Sequence, residues 1–353
     1  LPGATGSARR TRLGRDGSEF VAPSDRSDHV QPVLYISYDG MLEPLGQSQV
    51  LGYMEVLCQD GPVHLISFEK PGDHGDVERM RAMRDRLQAV GICWYPLEYH
   101  KTPSAPATAY DIAMGTQLAI RIARREGIAI VHARSYVPAL IALSVQRVCN
   151  VKFLFDMRGF WADERVDGGL WPADGSLYRV TKALERRFLL AADHVVTLTH
   201  ASAEELKTFP YLRARCPAIT VIPTCADLAR FSPAQSESPQ PNFTLGYLGS
   251  VGTWYLFDEV LTFFHALLEH RPDARMLIVN RNEHQYLESA LQGAGIPPSV
   301  YEIVAAEHRD VPQLVRRMTV GAAIIKPSYS KIASAPTKPA EYLGCGVPCI
   351  GNT

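Results

Sequence analysis

From residue 33 onward, short apolar runs alternate with longer stretches of helical periodicity, and this alternation limits the chain to few folds. A run too short for a buried helix, then an amphipathic helix, then another short run is how a chain builds parallel strands joined by crossover helices. Strands are predicted over 33–37, 63–68, 92–97, 128–132, 152–156, 194–198 and 219–222, with helices over 47–58, 76–89, 107–125, 137–146 and 178–191. The segment 227–242 is dense in Pro, Ser and Gln and reads as a linker. The alternation then restarts, with strands over 243–248, 275–280, 300–304, 322–326 and 347–350 and helices over 256–270, 283–293, 311–318 and 336–344. The expected fold is α/β, two doubly wound Rossmann-like domains facing a cleft. A disordered tail, 1–30, precedes a first domain, 31–226; the linker leads to a second domain, 243–353. Open parallel sheets bind ligands beyond the carboxyl ends of their strands, so two sheets facing one another suit a substrate in two parts.

A length of 353 residues agrees with two domains. The charges nearly cancel, 36 basic against 37 acidic for a net −1, so no global field draws nucleic acid and none is expected as a partner. Any anion site must be local. Seven cysteines lie scattered, without CxxC pairs or histidines at metal spacing, so a zinc site is not expected. They suit a reducing, cytoplasmic compartment. No apolar run of about 20 residues is present to span a bilayer. Arg121, Arg124 and Arg125 cluster in one predicted helix; a solvated face is the simplest reading, and peripheral contact with the inner face of a membrane is the other. The chain opens on Leu1 and stops at Thr353 just after a strand-like run, so the second domain is expected to be incomplete at its C-terminus.

The closing segment carries the densest chemistry. Pro336, Thr337 and Lys338 open a helix, Glu341 lies one turn on, and Gly346-Val347-Pro348 breaks it. Free amides, the positive end of the helix dipole and an ammonium meet there, which suits a phosphate, and a carboxylate on the same face suits a ribose diol. A capped helix with a surface Lys/Glu pair is the plainer alternative. After the first strand, Gly46, Gln47 and Ser48 offer close backbone approach and small polar donors. After the fourth and fifth come Arg134 and Arg158, whose guanidinium forks suit a carboxylate or pyrophosphate. Asp156 and Glu164 beside them suit sugar hydroxyls, or else pair with those arginines. In the second half, Gly246, Gly249 and Gly252 with Ser250 open the first βα loop, and Arg281 and Lys326 follow later strands as further candidates.

In order along the chain, these loops resemble family 4 glycosyltransferases of the GT-B fold, retaining enzymes that use nucleotide-activated sugars. The residues that carry the resemblance are Tyr38-Asp39-Gly40-Met41, Gly46-Gln47-Ser48, His132-Ala133-Arg134-Ser135, Asp156-Met157-Arg158-Gly159, Ile222-Pro223-Thr224, Gly246-Tyr247-Leu248-Gly249-Ser250 and Pro336-Thr337-Lys338 with Glu341. The resemblance implies a hexosyltransferase that takes a nucleotide sugar to a glycan or lipid-linked acceptor in surface polysaccharide assembly, with retention and without a metal or other cofactor. Arg134, Arg158 and Lys338 would be its catalytic residues. Gly249, Ser250, Arg281, Lys326, Pro336, Thr337, Lys338 and Glu341 would hold the donor, and Gly46, Gln47, Ser48, Asp156 and Glu164 would face the acceptor. Glu341 matches the second carboxylate of the family's Glu-x7-Glu element; the first would stand at Ala333 and is absent. The usual histidine after the fourth strand aligns with Arg134, and Ser250 stands where many members place an arginine. A sugar-nucleotide epimerase of similar architecture and an inactive nucleotide-sugar-binding relic are the alternatives.

Overall fold

The computed structural model describes residues 31–234, 242–252, 254–307 and 309–352. The tail expected over 1–30 lies outside the described residues, as does the middle of the linker. Seven strands form one parallel sheet: β1 (Val33–Ser37), β2 (Val63–Glu69), β3 (Ile92–Glu98), β4 (Ile130–Arg134), β5 (Lys152–Asp156), β6 (His194–Thr197) and β7 (Ala218–Val221). Five more form a second: β8 (Thr244–Leu248), β9 (Arg275–Val279), β10 (Tyr301–Val304), β11 (Val320–Ala323) and β12 (Cys349–Gly351). The strand orders are β3-β2-β1-β4-β5-β6-β7 and β10-β9-β8-β11-β12. Every ladder between these strands is parallel.

Both orders reverse direction once, between β1 and β4 in the first sheet and between β8 and β11 in the second. Crossover helices leave opposite faces at such a point and open a crevice at the carboxyl ends of the strands. In the first sheet, Ser37 is level with Arg134, and Arg134 with Asp156. The alternation of apolar runs thus determines which loops surround each crevice.

β4 starts two residues later than periodicity predicts. The helix Ser104–Arg125 ends in a Schellman turn, with Gly127 at φ +63 and the Ile128 amide donating to the Ala123 carbonyl at 3.1 Å. Ile128 is consumed as the buried apolar residue of that cap, so the strand runs on and ends at Arg134. β11 starts and ends early for a related reason. Ile324 and Ile325 leave the ladder to pair with the loop at Trp254–Leu256, through Leu256 N–H to Ile324 O at 3.1 Å and Lys326 N–H to Trp254 O at 2.9 Å.

One core lies under the first sheet, around Phe153, Phe155, Phe160 and Phe188; others lie on the second, around Tyr247, Phe257 and Phe264 and around Phe231 and Tyr342. Ala333 is fully buried and belongs to the core of the first sheet, although the chain reaches it between β11 and β12 of the second. It sits in the short 3-10 turn Tyr329–Ala333, whose Tyr329 ring stacks on Phe160 at 5.5 Å. The position where a carboxylate stands in the resembling family is therefore an apolar contact here. Among the described residues no helix is long and apolar enough to cross a membrane.

A charge at this position would enter the apolar core of the first sheet. Ala333→Glu is expected to destabilise the protein by about 3 kcal/mol or more, measured by denaturant unfolding, whereas Ala333→Ser costs far less.

Candidate functional site

The carboxyl ends of the two sheets enclose a cleft of 760 Å³. Its first wall comes from the first crevice, with Asp39, Gln49, Arg134, Ser135, Tyr136 and Arg158. The opposite wall brings Trp254, Tyr255, Ile325, Lys331, Pro336 and Thr337.

Four of the sequence-predicted residues line it: Arg134, Arg158, Pro336 and Thr337. Arg134 ends β4, is 4% exposed, and donates from Nε to Asp39 Oδ2 at 3.2 Å. Its Nη1 is enclosed and has no partner. Arg158 follows β5 in a left-handed backbone conformation, φ +59, with Gly159 at φ +134, a turn that points its side chain away from the core. Burial first, and then the like charge of Arg134, push its guanidinium down. Asp156 is buried at the end of β5 with Oδ2 3.7 Å from His132 Nε2, and it does not line the cleft. Burial pushes its carboxyl up, but His132, Arg158 and Arg134 outweigh burial and hold it below the usual carboxylate range.

The acceptor-side glycine and polar pair are placed differently from expectation. Gly46 is buried, and a Cβ there would meet the Gly40 carbonyl oxygen at 2.0 Å, so its smallness serves backbone packing and not a ligand. Gly40 is itself pressed against Glu69, whose carboxylate accepts from the Met41 amide at 2.8 Å. The helix expected from Gln47 begins at Pro44 and passes through a π turn at Gln47–Leu51 before continuing as Gly52–Leu57. A π turn inserts a residue and rotates the side chains beyond it around the helix axis. Gln49, in place of Gln47 or Ser48, therefore faces the cleft; it is 2% exposed, donates to the Cys225 carbonyl at 3.1 Å, and leaves Oε1 without a partner.

Glu164 is drawn into a bridge between the two sheets and accepts from Lys331 Nζ at 3.1 Å and Ser334 Oγ at 3.2 Å. Lys331 also lies 3.8 Å above the Trp254 ring. Lys326 is exposed and reaches the Asp167 carbonyl at 3.4 Å, so it is a second bridging cation and not a cleft wall. Arg281 pairs on the surface with Glu307 at 3.2 Å and stands away from the cleft.

Lys338 lies just behind the second wall. The helix Thr337–Gly344 begins with Pro336 as its cap, and no side chain caps the amides of its first turn. Pro339 comes next inside that turn, so the free donors are those of Thr337 and Lys338. The Lys338 ammonium sits 3.3 Å over the Tyr255 ring and 4.4 Å over Tyr247, and 3.4 Å from the Ser250 carbonyl. Gly249, at φ +89, lets it in: a Cβ there would stand 3.1 Å from Lys338 Cε. Ser250 thus contributes its carbonyl, which also accepts from Tyr247 OH at 2.7 Å. Burial pushes the Lys338 ammonium down to about 7, against the pull of Glu341 and Glu283. Burial likewise raises the Glu341 carboxyl to about 7, opposed by Lys338. A cation and a carboxyl, both ill-solvated and side by side, favour a ligand that brings a diphosphate to one and hydroxyls to the other. Among the described residues no group of three His, Cys, Asp or Glu side chains gathers as metal ligands.

Asp39, Gln49, Tyr247, Tyr255, Glu283 and Lys331 have site contacts that residue-by-residue reading of the loops did not single out. Of these, Asp39 and Tyr247 stand inside motifs that carry the resemblance and Gln49 directly follows Gly46-Gln47-Ser48, whereas Tyr255, Glu283 and Lys331 carry no such signal. Glu283 is made part of the second crevice by its bonds to the Val251 amide at 3.1 Å and Asn280 Nδ2 at 2.8 Å.

The sign of the Lys338 effect is testable. Its folded value lies below its ordinary 10.5, so between roughly 7 and 10.5 the unfolded chain binds a proton that the folded chain does not. Protonation there favours unfolding, and stability rises with pH across that window. Lys338→Met is expected to raise the thermal midpoint at pH 8, with the difference from the parent shrinking towards pH 10; a lysine that stabilised the fold as an ion pair would give the opposite sign.

Residues 57–230 match the family described as Glycosyltransferase Family 4. No curated protein matches the chain closely enough to count as a relative. Among solved structures, sucrose-phosphate synthase from Thermosynechococcus elongatus is similar with a TM-score of 0.64 at 14% identity, over 91% of this chain and 81% of its own. A glycosyltransferase from Rickettsia africae gives 0.60 at 16% identity, over 91% and 79%. HepE from Anabaena, solved in complex with UDP and glucose, gives 0.58 at 14% identity, over 92% and 80%. At such identities the likeness is one of fold. Together with the two parallel sheets around one cleft it gives the chain the GT-B fold, and residues 57–230 of that fold match Glycosyltransferase Family 4.

Proposed function

We propose that the protein transfers a hexosyl group, with retention, from a nucleotide sugar to a glycan or lipid-linked acceptor in surface polysaccharide assembly. In this reading the second domain, 243–353, holds the donor and the first, 31–226, holds the acceptor. The observation that carries it is the position of Lys338 behind the cleft wall, at the uncapped start of a helix and against Gly249 and Ser250, with Glu341 one turn further along the same helix. The donor diphosphate lies on the Thr337 and Lys338 amides and the Lys338 ammonium, and the ribose hydroxyls meet Glu341.

The chemistry is set by where charge develops. The acceptor hydroxyl oxygen bonds to the anomeric carbon while the bond from that carbon to the diphosphate oxygen breaks. The hydroxyl proton passes to the departing diphosphate, leaving a glycoside and a nucleoside diphosphate. Negative charge on the leaving group is greatest in the transition state, so an ammonium and fixed amides stabilise it more there than in the ground state. No metal enters this scheme. Lys338 must carry its proton to serve, and bound diphosphate restores the pKa that burial lowered. Nucleotide binding therefore takes up a proton above pH 7, and affinity falls as pH rises from about 7 to 9.

Thermal stabilisation by a panel of UDP-, GDP- and ADP-hexoses identifies the donor through mass action. Lys338→Ala and Glu341→Ala are each expected to weaken binding of that donor about tenfold or more, and an excess of EDTA is expected to leave turnover unchanged. Unaltered affinity in both variants would remove the donor site. Binding without a glycosylated product, using acceptor extracts, would leave a nucleotide-binding protein; isomerisation of the free nucleotide sugar would indicate an epimerase.

A further inference from the structure

The first-sheet corner of the cleft holds the two arginines, Arg134 and Arg158, that the resemblance counts as catalytic but to which the transfer step proposed above assigns no part. Arg134 is 4% exposed and already gives Nε to Asp39, yet its Nη1 is enclosed and unpartnered while the residue lines the cleft. A buried guanidinium N–H without an acceptor is costly, and native structures rarely keep one idle. Arg158 lines the same corner and makes no hydrogen bond or ion pair among the described residues. The fourteen-residue helix Tyr136–Cys149 begins here as well. Its cap residue Ser135, at φ 71, gives it no side-chain hydrogen bond, so the Tyr136 and Val137 amides start the helix unpaired, and both residues line the cleft. The charged groups in or behind the corner are Arg134, Arg158, Asp39, Asp156 and His132. Asp39 is engaged by Arg134 Nε, and Asp156 lies nearest His132 at 3.7 Å. Neither carboxylate uses the Arg134 Nη1 proton, so the pairs do not close on themselves.

We propose that this corner is a subsite for an anionic group, a carboxylate or a phosphate ester, carried by one of the two sugars. It is separate from the place of the donor diphosphate at Lys338, and the inference rests on reading that place as the donor's. Arg134 Nη1, the Arg158 fork and the Tyr136 and Val137 amides are its donors. The sugar that bears the anion is the transferred one if the donor is a uronate, or the receiving one if the acceptor is phosphorylated or acidic.

The test is calorimetry on the full chain with inorganic phosphate and with glucuronate, each added to the protein alone and to protein saturated with UDP. Arg158→Gln is expected to weaken both anions tenfold or more and UDP by less than about twofold, while Lys338→Ala does the reverse. Arg134→Lys keeps a charge but loses the fork, and is expected to weaken both anions threefold or more. If it fails to fold, judged by circular dichroism, the more exposed Arg158→Gln still decides. UDP-glucuronate binding at least tenfold more tightly than UDP-glucose, with the difference gone in Arg158→Gln, assigns the anion to the donor. Equal binding of the two, with phosphate or glucuronate still entering the UDP-saturated protein, assigns it to the acceptor. Anion affinities indifferent to Arg158→Gln overturn the subsite even where UDP binds normally. Failure of UDP, GDP and ADP alike to bind while the anions remain sensitive to Arg158→Gln overturns the donor reading alone.

Discussion

The cleft exists because one short turn of the second half is seated on the first. Tyr329–Ala333 leaves the region of β11, stacks Tyr329 on Phe160 and sinks Ala333 into the core beneath the first sheet. Polar bonds hold the rest of it: the Ser330 amide to Asp167 at 2.9 Å, Lys331 to Glu164, the Ile332 carbonyl to Thr199, and, just beyond, the Ala335 carbonyl to Thr224 at 2.6 Å. An exposed ion pair by itself is worth little, but here the pairs surround an apolar anchor that excludes water. The helix carrying Thr337 and Lys338 starts only four residues after Ala333, so this anchor sets how the proposed donor site faces the first sheet.

The same contact accounts for the departure at Ala333. A glutamate there would be pushed into the hydrocarbon of that core, at the cost of burying a charge. The nearby carboxylate is instead Glu164, brought in from the first sheet and already bonded to Lys331 and Ser334. Any carboxylate the cleft needs beside the transferred sugar would have to come from another element. The chain thus keeps the helix start at Pro336 and Glu341 while changing the turn before it from a polar element to a structural one.

Two kinds of buried charge divide the cleft. On the second wall, Lys338 and Glu341 are shifted towards each other by burial, both to about 7, a pair poised to change protonation when an anion arrives. On the first wall, Arg134 and Arg158 stay cationic at any ordinary pH, with Arg134 Nη1 and the Arg158 fork left unused. An ammonium that gives up its proton when desolvated and a guanidinium that does not are suited to different tasks. The lysine answers charge that develops during a reaction, and the arginines hold charge that a ligand always carries.

Much of this was legible in the order of residues. Alternation of apolar runs with helical periods specified twelve parallel strands, because burial on both faces and crossover by helices leave that pattern and few others, and it placed Arg134, Arg158, Gly249 and Lys338 at strand ends or helix starts. What the chain could not announce was which faces turn inward. A π turn put Gln49 on the cleft in place of Gln47 and Ser48, a Schellman cap consumed Ile128 and carried β4 on to Arg134, and Gly46 proved to be a seat for the Gly40 carbonyl. Arg281, Lys326 and Glu164 have the chemistry of ligand-binding residues, yet their partners, Glu307, the Asp167 carbonyl and Lys331, come from distant parts of the chain. Local sequence decides what an element is, since periodicity and caps act within a few residues. Only the packing of the two sheets against Ala333 decides which of its charges remain free, because a charge is spent or spared by neighbours that the sequence places far away.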